Sequence, residues 1–343
     1  MEKIGIDVHK VASQVCIRTE DGAFIEQRIA TTRAAFTKYF GGRARAWILL
    51  EASTESEWVS RCLEALGHEV IVADPNFAPR YATRGRKIKT DRRDARALCE
   101  ACALGAYRAA HRSSDAARDR RAQVAVRAAL VSSRTKYISL ARALARQEGC
   151  RIGSGSAGTF VTRVQAQELP APVRDRLAPL LTAIAGVTEQ LTAIDKELAQ
   201  VVRADVVAQR FCTAPGIGPV TALTFEAVVD DVARFGSAKE VRAYVGLVPR
   251  EMSSGEQRLR GHITKAGHAR LRTLLVEAAW SILRYDHAET QALRAWALRI
   301  AARRGKRIAA VALARKLAGI LYAMWRDGSE FGHPAHPATV VAA

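Results

Sequence analysis

The sequence predicts an α/β domain, a long helical arm and a second domain that is mostly helical. Three observations carry this reading. The first hundred or so residues run strand, strand, strand, helix, strand, helix, strand, helix. Between about residues 116 and 202, apolar side chains recur every three or four positions. The 343 residues of the chain suffice for roughly two domains of about 150 residues each.

The elements follow in order. Residues 3–8 and 11–19 read as strands, the second alternating Val15 and Ile17 with Gln14, Cys16 and Arg18. Glu20, Asp21 and Gly22 form a turn into a third strand, 23–29. Thr31 or Thr32 can cap a helix that runs through Phe40. Residues 46–50 are an unbroken apolar run, as expected of a strand covered on both faces. A helix over 54–66 and a strand over 69–73 come next. Thr90 caps a helix from Asp91 to about Ala106, with two acids complementing the dipole in its first turn.

Residues 116–147 read as an arginine-rich helix in which Val126, Leu130, Ser133, Tyr137, Leu140 and Leu144 alternate four and three apart. A Gly/Ser-rich break at 153–158 separates it from a helix over 173–202, just after Pro170 and Pro172. There Val173, Leu177, Leu180, Ile184, Val187, Leu191, Ile194, Leu198 and Val201 keep the same rhythm. Sustained heptads predict a coiled-coil seam, made either by folding back as one hairpin or by pairing with another protomer. Residues 204–328 are expected to be mostly helical, and the proline-containing tail, 329–343, to be loose.

Lysine and arginine number 53 against 34 acids, a net charge of +19, and the pI is near 10.3. Such an excess calls for a polyanionic partner, nucleic acid or an anionic membrane. No apolar run approaches the roughly 18 residues of a spanning helix, which disfavours the membrane. Acids interrupt the opening MEKIGIDVHK before a signal peptide could form, so a cytoplasmic protein is expected. Six scattered cysteines suggest no disulfide framework. Cys99 and Cys102 form a CxxC without a second pair and read as small apolar residues on one helix face. The glycines of 153–158 nominally match GxGxxG, but they follow no strand and read as a flexible break. No Walker A motif is present, which argues against ATP use.

Four acids carry the chemistry. Asp7 ends the first strand, Glu51 follows the buried run, and Asp91 and Asp94 lie i and i+3 on one helix face. In a mixed sheet the first two can be neighbours, and a helix packed across the sheet can aim the second two at them. Each acid taken alone reads more readily as a turn or cap residue. Four carboxylates brought together repel unless cations neutralise them, and two Mg²⁺ ions about 4 Å apart are the natural solution for in-line phosphoryl displacement. Farther on, APGIGPVTA looks like a helix-hairpin-helix turn. Gly216 and Gly218 would let a phosphate approach the N–H groups of the helix starting near Pro219; a plain interhelical turn explains it as well. From chemistry alone, the SSG at 253–255 is a polar turn.

The motifs GIDVHK, LLEAS and KTDRRDARAL, with GLVPREMSSG and TKAGHARLR later, resemble those of the DEDD transposases of bacterial insertion sequences. This is the insertion-sequence family numbered one hundred and ten, which includes the Piv-type site-specific DNA invertases. The resemblance runs in the same order over nearly the whole chain. It implies an RNase H-like (RuvC-like) catalytic domain over 1–115, a helical coiled-coil arm over 116–203 and a C-terminal transposase domain over 204–328. It implies that Asp7, Glu51, Asp91 and Asp94 form a metal site for Mg²⁺, with Mn²⁺ able to substitute. It also implies a nucleophilic serine that joins a cleaved DNA strand: Ser254 by motif position, with Ser253 next.

Nearby Arg258, Arg260, Lys265, Arg270 and Arg272 would hold phosphates or form a solvated basic face. The family further implies a structured guide RNA, encoded by the element, that pairs with donor and target DNA. Arg118, Arg120, Arg121, Arg127 and Arg134 are candidate contacts to that RNA, or the exterior of a charged helix. A homo-oligomer acting at the nucleoid is expected. Two other readings stay open: a RuvC-like metal-dependent endonuclease of the junction-resolvase type, and a nucleic-acid-binding protein without catalysis.

Overall fold

Lys3–Val8 (β1) is the middle strand of a five-stranded sheet ordered β3-β2-β1-β4-β5. β2 (Ala12–Arg18) and β3 (Phe24–Ala30) extend it antiparallel on one side. β4 (Trp47–Glu51) and β5 (Glu69–Ala73) extend it parallel on the other. The computed structural model describes residues 1–19, 21–75, 90–254 and 257–332, with the side chains of 252–260 outside that description. It divides into two compact units, Met1–Ser113 and Ser114–Ala343.

In the first unit, strand alternation sends Ile4, Ile6, Val8, Ile48 and Leu50 to one face. There they pack with Phe36 and Phe40 of α1 (Arg33–Phe40) and Val59 and Leu63 of α2 (Ser56–Ala65). Thr32 starts α1 by accepting the N–H of Ala35. The opposite face is covered by α3 (Asp91–Leu104), whose N-cap Thr90 accepts the Arg93 N–H. Cys99 and Cys102 of α3 are buried, their thiols donating to the carbonyls of Lys3 and Trp47. All six cysteines are free thiols.

The second unit begins with α4 (Asp115–Gln147), α5 (Phe160–Gln165) and α6 (Ala171–Ala204), with α4 and α6 side by side. α6 starts earlier than the prolines suggest, with Pro170 as N-cap and Pro172 inside the first turn, where a missing N–H costs nothing. On α6 the heptad-spaced Leu177, Ile184, Leu191 and Leu198 are buried as the sequence implies. On α4 the expected stripe holds in part: Tyr137 and Leu144 pack against the cluster that includes Val173, Leu177 and Ile184, whereas Val126 and Leu140 are 56% and 49% exposed. Ile138, Ala141 and Ala145 complete that cluster, and nearer the start of α4 Arg127 and Arg134 reach Asp195 and Thr188 of α6 while Arg120 reaches Asp205 just beyond it. Those arginines recur every seventh position, and their aliphatic stems occupy places a leucine would otherwise fill.

Beyond α6 come α7 (Val206–Cys212), α8 (Pro219–Val229), α9 (Ala238–Tyr244), α10 (Ala269–Arg284), α11 (Gln291–Arg304) and α12 (Lys306–Asp327). The core gathers around α12, whose Leu313, Leu317 and Leu321 are fully buried. The region is not wholly helical. β6 (Pro249–Ser254) and β7 (Gln257–Ile263) pair antiparallel across the segment that reads as a turn in the sequence.

α6 and α12 are both long and apolar enough to cross a membrane, so the expectation that no run approaches that length is corrected. In this structure 56% of the apolar stretch of α12 is buried, but only 17% of that of α6, which turns one face to α4.

Candidate functional site

The site is built from where β1 and β4 stop. Ile6 pairs in parallel with Leu50, so the next residues, Asp7 and Glu51, lie at the same end of the sheet. Gly5 faces α3, where an added Cβ would meet the Cys99 nitrogen at 2.2 Å and the Ala95 oxygen at 2.3 Å. Leu49 faces α3 too, packing with Leu98, Ala101 and Cys102. Because side chains alternate along a strand, Asp7 and Glu51 emerge on that same face. The first turn of α3 brings Asp91 and Asp94 to it.

His9 lies in the middle of the group, and reading the sequence for acids alone overlooks it. Its Nε2 stands 3.1 Å from Asp7 Oδ2 and 3.3 Å from Asp91 Oδ1. The ligand atoms of Asp7, His9 and Asp91 all fall within 4.8 Å of one another. Asp7 is only 9% exposed. Burial raises its carboxyl above the usual aspartate range; His9 works against the rise, and the charges of Asp94 and Asp91 add to it. Glu51 is half-buried at the end of β4 and pairs across to Ala73. The structure thus draws Asp7 and Asp91 onto one imidazole, with Glu51 on the same face and Asp94 one turn along α3. Carboxylate oxygens with one imidazole nitrogen suit a divalent cation.

The other expected residues lie in the second unit. Ser253 and Ser254 end β6, opposite Arg258 and Gln257 of β7; their side chains, with those of Arg258 and Arg260, are outside the described residues. The base of this hairpin is tightly held. Gly246 and Gly267 have positive φ, and Cβ atoms there would meet the Ala266 oxygen at 2.1 Å and the Tyr244 oxygen at 2.0 Å. Arg272 Nη1 donates to the carbonyls of Val245, Ala266 and Gly267 at 3.1, 2.6 and 3.1 Å, so that expected phosphate contact braces the loop. Lys265 sits in the same loop at φ 55, and Arg270 in the first turn of α10. His268 caps α10 by accepting the Leu271 N–H. Burial, with Arg121 and Arg272 nearby, holds its imidazole below the usual histidine range.

Gly216 also has positive φ, and its missing Cβ leaves room for Ala278 of α10. That close approach is the one an interhelical turn requires. Gly218 is the N-cap of α8, and a Cβ added there would meet nothing within 4 Å. On α4, Arg118 pairs with Asp115 at 2.9 Å, and Arg127 pairs with Asp195 at 3.1 Å. Arg120 bridges Asp205, the N-cap of α7, and Glu226 of α8.

A sheet end that gathers acids beneath a helix is a place where a divalent cation could be held, and what class of protein carries it here is given by its relatives. Residues 4–147 match the DEDD-type family profile described as "Transposase", and residues 208–294 match the one described as "Transposase IS116/IS110/IS902 family". The chain belongs to this IS110/IS116/IS902 family of insertion-sequence transposases. It is 30% identical over 330 residues to a "Probable family 20 transposase" of Pseudomonas aeruginosa, spanning 94% of this chain and 96% of that relative. It is 29% identical to the transposase for insertion sequence element IS1111A of Coxiella burnetii, over 94% of this chain and 88% of that one. It is 28% identical to the transposase for IS1328 of Yersinia enterocolitica, over 96% and 98%.

Proposed function

We propose that this transposase breaks and transfers DNA strands with two sets of groups: the carboxylates Asp7, Glu51, Asp91 and Asp94, and the hydroxyl of Ser254. Asp7 and Asp91 hold a divalent cation, Mg²⁺ or Mn²⁺, and Glu51 and Asp94 complete the site for a second. When bound, such ions supply Lewis acidity and counter-charge at a phosphodiester. The carboxylates fix where that charge sits, and the buried position of Asp7 keeps its oxygens from swinging toward water. Ser254 gives up its hydroxyl proton and forms a bond from Oγ to phosphorus as the bond from phosphorus to the deoxyribose oxygen breaks and that leaving oxygen takes up a proton; an incoming hydroxyl later reverses the exchange, returning a proton to Oγ. One phosphodiester replaces another at each step, so no ATP is needed. The observation that carries this reading is the convergence of Asp7 and Asp91, 84 positions apart in the sequence, on the single nitrogen of His9.

The first unit is read as RNase H-like (RuvC-like), and α4 with α6 as a coiled-coil arm leading to the C-terminal transposase domain. Arg118 and Arg121 of α4, together with Arg258, Arg260, Lys265 and Arg270, are proposed to hold the backbones of DNA and of a structured guide RNA. Base pairing by that RNA would select the target, in a homo-oligomer working in the bacterial cytoplasm at the nucleoid.

The test is a covalent protein–DNA adduct. Wild-type protein with Mg²⁺ and DNA carrying the element ends leaves a band that survives denaturation, and Ser254→Ala leaves none. Asp91→Asn lowers adduct formation on the order of a thousandfold, about 4 kcal/mol of barrier. An adduct that persists at full strength in both Ser254→Ala and Ser253→Ala removes the serine from the mechanism. Equal turnover in a chelator removes the metal.

A further inference from the structure

The carboxylate site has a neighbour that the four acids do not account for. His9 follows β1 by one residue, and its side chain remains 53% exposed while Nε2 turns inward between two carboxylate oxygens. A neutral imidazole carries at most one hydrogen on that nitrogen, yet both of its neighbours are acceptors. Two anionic oxygens therefore converge on an atom that can fully satisfy only one of them. A cation in the same space satisfies all three atoms at once.

The spacing agrees with that reading. In an octahedral site with bonds of about 2.1 Å, adjacent ligand atoms stand about 3.0 Å apart. The separations from Nε2, 3.1 Å to Asp7 Oδ2 and 3.3 Å to Asp91 Oδ1, match such edges with a shift of a few tenths of an ångström. An imidazole nitrogen among carboxylates also changes which ion the site prefers. Carboxylate and water oxygens suit both Mg²⁺ and Mn²⁺, but an imidazole nitrogen is a ligand that a transition ion such as Mn²⁺ accepts more readily than the harder Mg²⁺ does.

We propose that His9 is itself a ligand of the divalent cation, donating Nε2 beside Asp7 and Asp91, and that it biases the site toward Mn²⁺ over Mg²⁺. The inference rests on the carboxylate site being a metal site, and the experiment separates the two. Mn²⁺ is titrated into the full-length protein by electron paramagnetic resonance, and electron spin-echo modulation of the bound ion then reports directly coordinated nitrogen. Wild type shows nitrogen modulation. His9→Gln loses it and binds Mn²⁺ about tenfold more weakly, while its affinity for Mg²⁺ changes far less. His9→Asp, which keeps a ligand but not a nitrogen, recovers Mn²⁺ affinity without the modulation, and so distinguishes a lost ligand from a misfolded variant.

Wild-type Mn²⁺ without nitrogen modulation overturns the proposal, as does modulation that survives in His9→Gln, or a His9→Gln variant that binds Mn²⁺ as tightly as wild type. If Asp7→Asn and Asp91→Asn also bind Mn²⁺ as wild type does, the metal site itself is lost. If those two fail to bind while His9→Gln is unaffected, only the ligand role of His9 falls.

Discussion

Gly5 shows how one missing side chain sets the site. Its Cα lies so close to α3 that a Cβ would come within 2.2 Å of the Cys99 nitrogen and 2.3 Å of the Ala95 oxygen. Both are helix backbone atoms, which cannot step aside as a flexible side chain can. Gly5→Ala must therefore push α3 away from β1, and Asp91 and Asp94 move with it. The expected cost is about 1–3 kcal/mol of stability, as for other overpacked cores, read as a lower urea midpoint. Strand-transfer activity should fall further than the stability loss alone accounts for; an unchanged midpoint would show that the sheet yields easily. At this scale the candidate site is partly legible in the sequence. Acids at strand ends and at a capped helix start declare themselves by position, because strand alternation and the helix repeat dictate where they face. His9 does not declare itself: a histidine beyond a strand end has no periodicity to place it, and only the folded chain puts its Nε2 between two acids.

At the scale of elements, the junction of α4, α7 and α8 is held by Arg120, which reaches both Asp205 and Glu226. Burial pushes the Glu226 carboxyl up to about 7; Arg120 opposes this and Asp205 adds to it. Asp205, though partly buried, is held below its usual range by the Ala208 N–H and Arg120. The folded protein keeps a proton on Glu226 that an unfolded chain releases near the ordinary 4.5. Stability is therefore fully present below that value, and is lost as pH rises toward about 7. The loss is on the order of 1–3 kcal/mol. Glu226→Gln should flatten this dependence, and the melting temperatures of the two proteins compared between about pH 5 and pH 8 give the check. A difference that does not vary with pH would mean that Glu226 titrates normally. The same arginine helps explain why the sequence places only part of the seam of α4, Tyr137 and Leu144, correctly. Spacing points to the large aliphatic residues there, whereas Arg120, Arg127 and Arg134 occupy the facing positions through their stems. The strand order of the first unit needs no such knowledge, because each strand carries its own alternation or apolar run. The β6–β7 hairpin is hidden for the opposite reason: PREMSS and QRLRGHI offer few branched or aromatic side chains.

For the whole molecule, the excess of 53 basic over 34 acidic residues sets how binding should respond to salt. Counterions released from nucleic acid make affinity fall steeply with ionic strength. If the protein engages six or more phosphates, affinity for duplex DNA should drop about a thousandfold between roughly 50 and 200 mM salt. Filter binding across a salt series measures the slope, and a flat line would mean that the positive charge serves the fold alone. Part of it does: Arg112, Arg120 and Arg127 are each committed to internal carboxylates. Each such pairing cancels an acid as well, so the net excess of +19 is unchanged. The division of the chain has a consequence of a different kind. The backbone passes from one compact unit to the other once, between Ser113 and Ser114, and each unit encloses apolar clusters of its own. A single cut of the backbone there would leave each half holding apolar clusters of its own.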